Sequence, residues 1–251
     1  STMPESAMIL AAGLGTRMRP ITDTIPKPLV EVGGRAMIDY AIDALVAEGV
    51  DNIVVNVHYL GDQLIEHLSN RSDCTVVISD ESEKLMDSGG GIVKALPLLG
   101  AEPFYLLNAD TFWLEDPDQP ANLASLARDW NGARMDLLLM TVTLDRFIGH
   151  NGKLDFNRDN AGRLTRFDAG APNAVVYPGV AIVDPQIFHG RAAEPFSLNL
   201  CFDQAIAGKR LFASAAHGLW LTVGTPQAIS EAETAMREYQ SSSVSKATVL
   251  S

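Results

Sequence analysis

The chain has 251 residues and a formal net charge of −12 at pH 7, with 47% hydrophobic and 20% charged residues. That length supports one large α/β domain with a substantial core, and no Ser/Gly-rich linker divides it. The acidic balance argues against duplex nucleic acid and anionic membranes as partners, and no apolar run approaches the length of a membrane span.

An apolar run at residues 7–12 reads as a strand and leads into LAAGLGTRMRPITDTIPKP, residues 10–28. Gly13 and Gly15 allow the backbone to turn sharply and bring N–H groups close to anionic oxygens. Arg17, Arg19 and Lys27 follow among three prolines, with Asp23 as the one anion. In an acidic chain this clustering marks a site for an anionic ligand, with Arg17 as a planar fork of donors and Lys27 as a point charge. The prolines forbid a regular helix, so the segment is expected to wrap a ligand. A P-loop would require a Lys-Ser or Lys-Thr pair after the glycines. A dinucleotide fingerprint would require a third glycine where Met18 stands.

Helical spacing runs from Met37 to Val46 and stops at Gly49; residues 52–57 read as a buried strand, 60–69 as a helix and 74–79 as another strand. Strands alternating with helices predict a mostly parallel sheet covered on both faces. In residues 80–91, DESEKLMDSGGG, three glycines let a backbone lie flat against a planar ligand and also suit the start of the helix that continues from Ile92. A strand at 104–107 ends in Asn108-Ala109-Asp110, where ligands of open α/β sheets gather. Further on come a helix at 121–130, a strand at 135–144, a hairpin of 153–156 with 164–167, and a run at 175–184 broken by Pro178-Gly179. A helix at 195–207, an edge strand at 210–214, a last strand at 219–223 and a helix from Gly224-Thr225-Pro226 complete a domain of residues 3–240. Residues 241–251 lack periodicity and are expected to form a flexible tail. Cys74 and Cys201 lack CxxC spacing and read as buried free thiols. Ser1-Thr2 ahead of Met3 is set aside from the fold. With no signal-peptide pattern before the first strand, a cytoplasmic enzyme is expected.

Residues 10–28 match, almost letter for letter, the LAAGxGxRxxPxTxxxPKP signature of the sugar-phosphate nucleotidyltransferases, and a looser resemblance extends to about residue 235. The resemblance implies a single Rossmann-like nucleotidyltransferase domain that transfers a nucleoside monophosphate from an NTP to a sugar 1-phosphate. Arg17, Lys27 and Asp110 would be catalytic, with Mg²⁺ on Asp110. Leu10, Ala11, Ala12, Gly13, Gly15, Thr16, Ser88, Gly89 and Gly90 would bind the nucleotide. Asn108, Tyr177 and Gly179 would face the sugar phosphate, as would Asn56 and His58, for which a structural role stands equally open. The partners implied are these small molecules, with the protein a monomer or small homo-oligomer. The DSGGGI loop is more similar to the compact group containing N-acetylmuramate α-1-phosphate uridylyltransferases than to thymidylyltransferases, with mannose-1-phosphate guanylyltransferases next.

The chain departs from the family at one position. The usual W-x-D-V-G-T ending of the last strand is here Trp220-Leu221-Thr222-Val223-Gly224-Thr225, so a hydroxyl replaces the second metal-binding carboxylate. Three readings follow: Thr222 acts through water, Asp87 or Asp203 substitutes, or the metal rests on Asp110 and the nucleotide phosphates. A nucleotide-sugar sensor on the same fold, or a cytidylyltransferase for an alcohol phosphate, remain the alternatives.

Overall fold

The structure, a computed structural model, describes residues 3–250. Strand β1 (Ser6–Leu10) enters the wrapping loop, which is built of three short 3₁₀ turns and returns through the hairpin β2 (Glu31–Val32) and β3 (Arg35–Ala36). Then follow α1 (Met37–Ala47), β4 (Asn52–Val57), α2 (Gly61–Ser69), β5 (Thr75–Asp80), α3 (Asp87–Leu99) and β6 (Phe104–Asn108). The second half runs β7 (Thr111–Leu114), α4 (Asn122–Asp129), β8 (Leu137–Thr141), β9 (Phe147–Ile148), β10 (Phe156–Arg158), β11 (Leu164–Arg166), β12 (Ala174–Val175) and β13 (Val180–Val183). It closes with α5 (Asn199–Ala207), β14 (Leu211–Ala215), β15 (Leu219–Thr222) and α6 (Ala228–Leu250).

Seven strands form one sheet in the order β14-β8-β13-β6-β1-β4-β5, in which only β13 runs against its neighbours. Successive residues of the central strands point to opposite faces, and both faces are apolar. Ala7 and Ile9 of β1 join Ile53, Val55, Tyr105 and Leu107 under α1, α2 and α4; Met8, with Val54 and Leu106, faces α3 and α5. This is the doubly covered, mostly parallel sheet expected from the alternation of strands and helices. A third, smaller core joins Met18 and Val32 of the wrapping loop to Phe112, Leu221, Ala232 and Met236.

Several elements differ from the sequence expectation. The last strand, β15, pairs with β7 and β9 in a separate three-stranded sheet. The hairpin of β10 and β11 forms around the expected turn, with its first arm at 156–158 and not 153–156, and is joined by β12. The helix expected at 195–207 begins only at Asn199, leaving residues 195–197 outside regular structure for another task described below. The expected tail is instead helical, since α6 continues to Leu250. No Gly or Pro interrupts this stretch, and adding residues to an existing helix is far less costly than nucleating one. Residue 251 lies outside the described residues.

Trp220 fastens the small sheet to the main core. It is fully buried, stacks on Trp113 with ring centroids 4.7 Å apart, and donates its indole N–H to the His217 carbonyl at 2.9 Å. Trp220→Ala is expected to lower stability by about 3–5 kcal/mol, measured by denaturant unfolding.

Candidate active site

The strand order reverses between β1 and β6: the chain moves outward from β1 to β4 and β5, then crosses back to β6 on the other side. In an open α/β sheet such a reversal leaves a crevice beyond the carboxyl ends of the strands. The two ends are tied by the Ala109 N–H, which donates to the Leu10 carbonyl at 3.0 Å. Above them lies a cavity of about 490 Å³. One wall is Leu10, Ala11, Ala12 and Gly13; another is Lys27 and Pro28; the floor is Asn56, Asn108, Ala109 and Asp110; and Glu81, Leu85, Asp87 and Ser88 close the far side.

An adjoining hollow of about 190 Å³ is lined by Gly13, Gly15, Thr16, Arg17, Lys27, Asp110 and Gly224. The structure therefore brings the phosphate-binding loop, both expected cations and Asp110 to one place. The Lys27 ammonium lies 2.9 Å from Asp110 Oδ2. The Arg17 guanidinium lies against Gly224, where a Cβ would sit 3.5 Å from its nitrogen.

The glycine turn opens α3, one of the two roles the sequence offered it. Gly89 and Gly90 lie in the first turn of α3, and the residues before α5 cover them. Their N–H groups donate to the Phe196 carbonyl at 2.9 and 3.3 Å, and the Leu198 N–H donates to Ser88 Oγ at 2.8 Å. A Cβ on Gly89 would come within 2.2 Å of the Phe196 ring, and one on Gly90 within 2.2 Å of the Glu194 carbonyl. Glycine is thus required here for packing between protein segments, and of the three expected base contacts only Ser88 lines the cavity.

The sugar-side candidates separate. Asn108 lies in the cavity floor, and Gly179 backs it: at φ +94°, a Cβ there would fall 2.3 Å from Asn108 Nδ2. Asn56 reaches the cavity, but both ends of its amide are bound within the protein. His58 does not join the cavity; it lines a separate hollow beside α2, and its Nδ1 donates to the Glu81 carbonyl at 2.6 Å. Tyr177 packs edge-on against Phe202 at 5.5 Å, and burial pushes its phenol pKa up. Its backbone N–H donates to Asp155 Oδ2 at 2.9 Å. Asp203 is bound to Arg166 at 2.9 Å and cannot stand in for the missing carboxylate, whereas Asp87 does line the cavity. Sequence reading missed Glu81, because in the run DESE nothing distinguishes the one carboxylate that turns inward.

Thr222 lies where the register of β15 against β7 sets it opposite Thr111, and its hydroxyl donates to the Asp110 carbonyl at 3.3 Å. Among the described residues no group of three or more His, Cys, Asp or Glu side chains is arranged to hold a metal ion. One carboxylate with a nearby hydroxyl is a donor set that fits Mg²⁺ when substrate phosphates and water supply the remaining ligands.

A family model described as nucleotidyl transferase matches residues 6–239. The chain belongs to the nucleotidyl transferase family. Across 242 residues it is 41% identical to an N-acetylmuramate alpha-1-phosphate uridylyltransferase of Caulobacter vibrioides (strain ATCC 19089 / CIP 103742 / CB 15), covering 95% of this chain and 99% of that one. It is 33% identical to the protein of the same name from Neisseria meningitidis serogroup B (strain ATCC BAA-335 / MC58), covering 90% of this chain and 96% of the relative. The fold superimposes with a TM-score of 0.75 on a UDP-glucose pyrophosphorylase complexed with UDP-glucose, at 20% identity, over 94% of this chain and 99% of that chain. As a nucleotidyl transferase fold, the molecule thus has its cavity at the sheet's reversal point.

Gly89→Ala is expected to force the Phe196 ring aside, at a cost of about 1–3 kcal/mol. Hydrogen exchange should then quicken at the Leu198 amide; an unchanged rate would show that this contact does not hold the segment down.

Proposed function

We propose that this nucleotidyltransferase joins the uridylyl group of UTP to N-acetylmuramate α-1-phosphate and releases pyrophosphate. The observation that carries this reading is the 41% identity, over nearly the full length of both chains, to the Caulobacter uridylyltransferase. A sugar phosphate oxygen attacks the α-phosphorus; a new P–O bond forms there, the bond to the β-phosphate oxygen breaks, and pyrophosphate leaves with the electron pair. A phosphate monoester is already nucleophilic at neutral pH, so no side chain need be deprotonated first.

What the chain supplies is alignment and charge neutralisation. Arg17, with the N–H groups of Gly13, Gly15 and Thr16, would hold the β- and γ-phosphates in the smaller hollow. Lys27 would turn from Asp110 toward the phosphate being transferred. The base would lie against Leu10, Ala11, Ala12 and Ser88, and Asn108, backed by Gly179, would face the sugar phosphate. When bound, Mg²⁺ on Asp110 would neutralise phosphate charge, with Thr222 as a neutral neighbour. The expected setting is cytoplasmic recycling of peptidoglycan sugars.

The test is pyrophosphate release with Mg²⁺, crossing UTP, GTP, dTTP and CTP against the 1-phosphates of N-acetylmuramate, mannose, glucose and N-acetylglucosamine. The greatest turnover is expected with UTP and N-acetylmuramate α-1-phosphate. Highest turnover with GTP and mannose 1-phosphate would replace this reading with guanylyl transfer. Asp110→Ala is expected to cut turnover by at least about 10²-fold while the protein still melts cooperatively. Thr222→Asp adds a second carboxylate beside Asp110, and tighter Mn²⁺ binding by the free protein is expected in calorimetry; unaltered affinity would show that position 222 does not reach the metal.

A further inference from the structure

One buried carboxylate has no part in the chemistry just described. Glu81 is wholly inaccessible, and both of its oxygens accept N–H donors: Oε2 from Asn56 Nδ2 at 2.8 Å and Oε1 from the Met86 N–H at 3.0 Å. Asn56 is itself 3% exposed, and its Oδ1 accepts the Ala11 N–H at 2.6 Å. Gly91 of α3 makes room for this pair, since a Cβ there would lie 2.9 Å from Glu81 Oε2 and 3.0 Å from Asn56 Nδ2.

The polarity of the chain of contacts is forced. The backbone N–H groups of Ala11 and Met86 can only donate. The Asn56 oxygen must therefore face Ala11, its NH₂ must face Glu81, and both Glu81 oxygens must accept. Only an acceptor-only side chain satisfies position 81. The arrangement joins the start of the phosphate loop after β1, the end of β4 and the residue before α3, and so ties Ala11 in one wall of the cavity to Asn56 in its floor and Glu81 on its far side.

We propose that Glu81 is a positioning residue for nucleotide binding and transfer: through Asn56 it fixes the plane of the Leu10–Ala11 peptide, and through Met86 it holds the start of α3 against that peptide. Once the Ala11 N–H is committed inward, the following N–H groups are directed along the loop where the polyphosphate would lie. The inference rests on the proposed nucleotidyl transfer and deepens it, by assigning the geometry of the loop to a carboxylate that touches no substrate.

The test reverses the polarity of the network. In Glu81→Gln a donor replaces one acceptor and opposes either Asn56 Nδ2 or the Met86 N–H. In Asn56→Asp two carboxylates face each other. The double variant, Asn56→Asp with Glu81→Gln, exchanges the two chemistries. Its carboxylate at position 56 accepts from the Ala11 N–H and from the amide at position 81, while the amide oxygen accepts from the Met86 N–H. Every contact is then restored, and the net charge of the pair is unchanged. Each single variant is expected to lose about 10²-fold in kcat/KM and to bind UTP more weakly in calorimetry. The double variant is expected to recover to within about tenfold of the parent in both, as a strongly coupled pair should.

A double variant as impaired as Glu81→Gln would overturn the proposal and place the carboxylate in direct contact with a ligand. Melting temperatures that fall and recover, with kcat/KM and UTP affinity of the folded protein unmoved, would overturn it in favour of a purely structural brace. If Glu81→Gln fails to fold, Glu81→Asp keeps two acceptors on a shorter arm; full kcat/KM in that variant would likewise sink the idea. If the parent protein transfers no nucleotide but binds UTP, the proposed reaction fails while the UTP affinities still decide the network. If it does neither, both fail.

Discussion

The contact between Lys27 and Asp110 joins residues 83 positions apart, and the site depends on it. It is possible because β1 and β6 are neighbours in the sheet, although four elements of regular structure beyond α1 separate them in the chain. The loop after β1 must then fold back over its own strand to bring Lys27 above Asp110. The 3₁₀ turns and prolines of that loop suit this path, since each turn changes direction within three residues. The ammonium is the more buried partner, with its side chain 15% exposed against 38% for Asp110, so each charge screens the other while a phosphate can still compete with Asp110 for the ammonium.

Around that contact the three cores have separate tasks. The face of the sheet under α1, α2 and α4 carries the strand ends that form the cavity floor. The opposite face, with α3 and α5, fixes the far wall, and the segment before α5 covers the first turn of α3. The small sheet of β7, β15 and β9 lies under the wrapping loop, where Met18 packs on Phe112 and Leu221. Cation positions in the loop are thus held from below by a core that contains none of the main sheet.

Close backbone approach explains the three consecutive glycines better than flexibility does. Gly89 meets the Phe196 ring, Gly90 the Glu194 carbonyl, and Gly91 the Glu81–Asn56 pair. Each glycine faces a different neighbour because successive helical residues point about 100° apart. A side chain at Gly89 or Gly90 would push the segment before α5 away from α3, and one at Gly91 would push on the Glu81–Asn56 pair that reaches the cavity.

Much of this was legible in the sequence. Glycines, prolines and cations clustered in an acidic chain marked residues 10–28 as an anion-binding loop, and period-two and helical patterns placed most strands and helices of the main sheet within a few residues. The family followed from the same loop, and Asp110 was placed beside Arg17 and Lys27 by its position at the carboxyl end of the strand at 104–107. These features are local: turn chemistry, charge and amphipathic spacing act within a few residues of themselves. Other features were decided only by the tertiary structure. The start of α5 was delayed because the carbonyl of Phe196 is needed by α3. His58 was turned from the cavity by its hydrogen bond to the Glu81 carbonyl and Tyr177 by packing on α5, and β15 was drawn into a small sheet by its pairing with β7. Glu81, one acid in an acidic run, became the buried acceptor because Asn56 and Met86 present donors to it from elements 25 and 5 residues away. Patterns of single residues encode what each segment prefers, but which donor meets which acceptor depends on how distant segments pack.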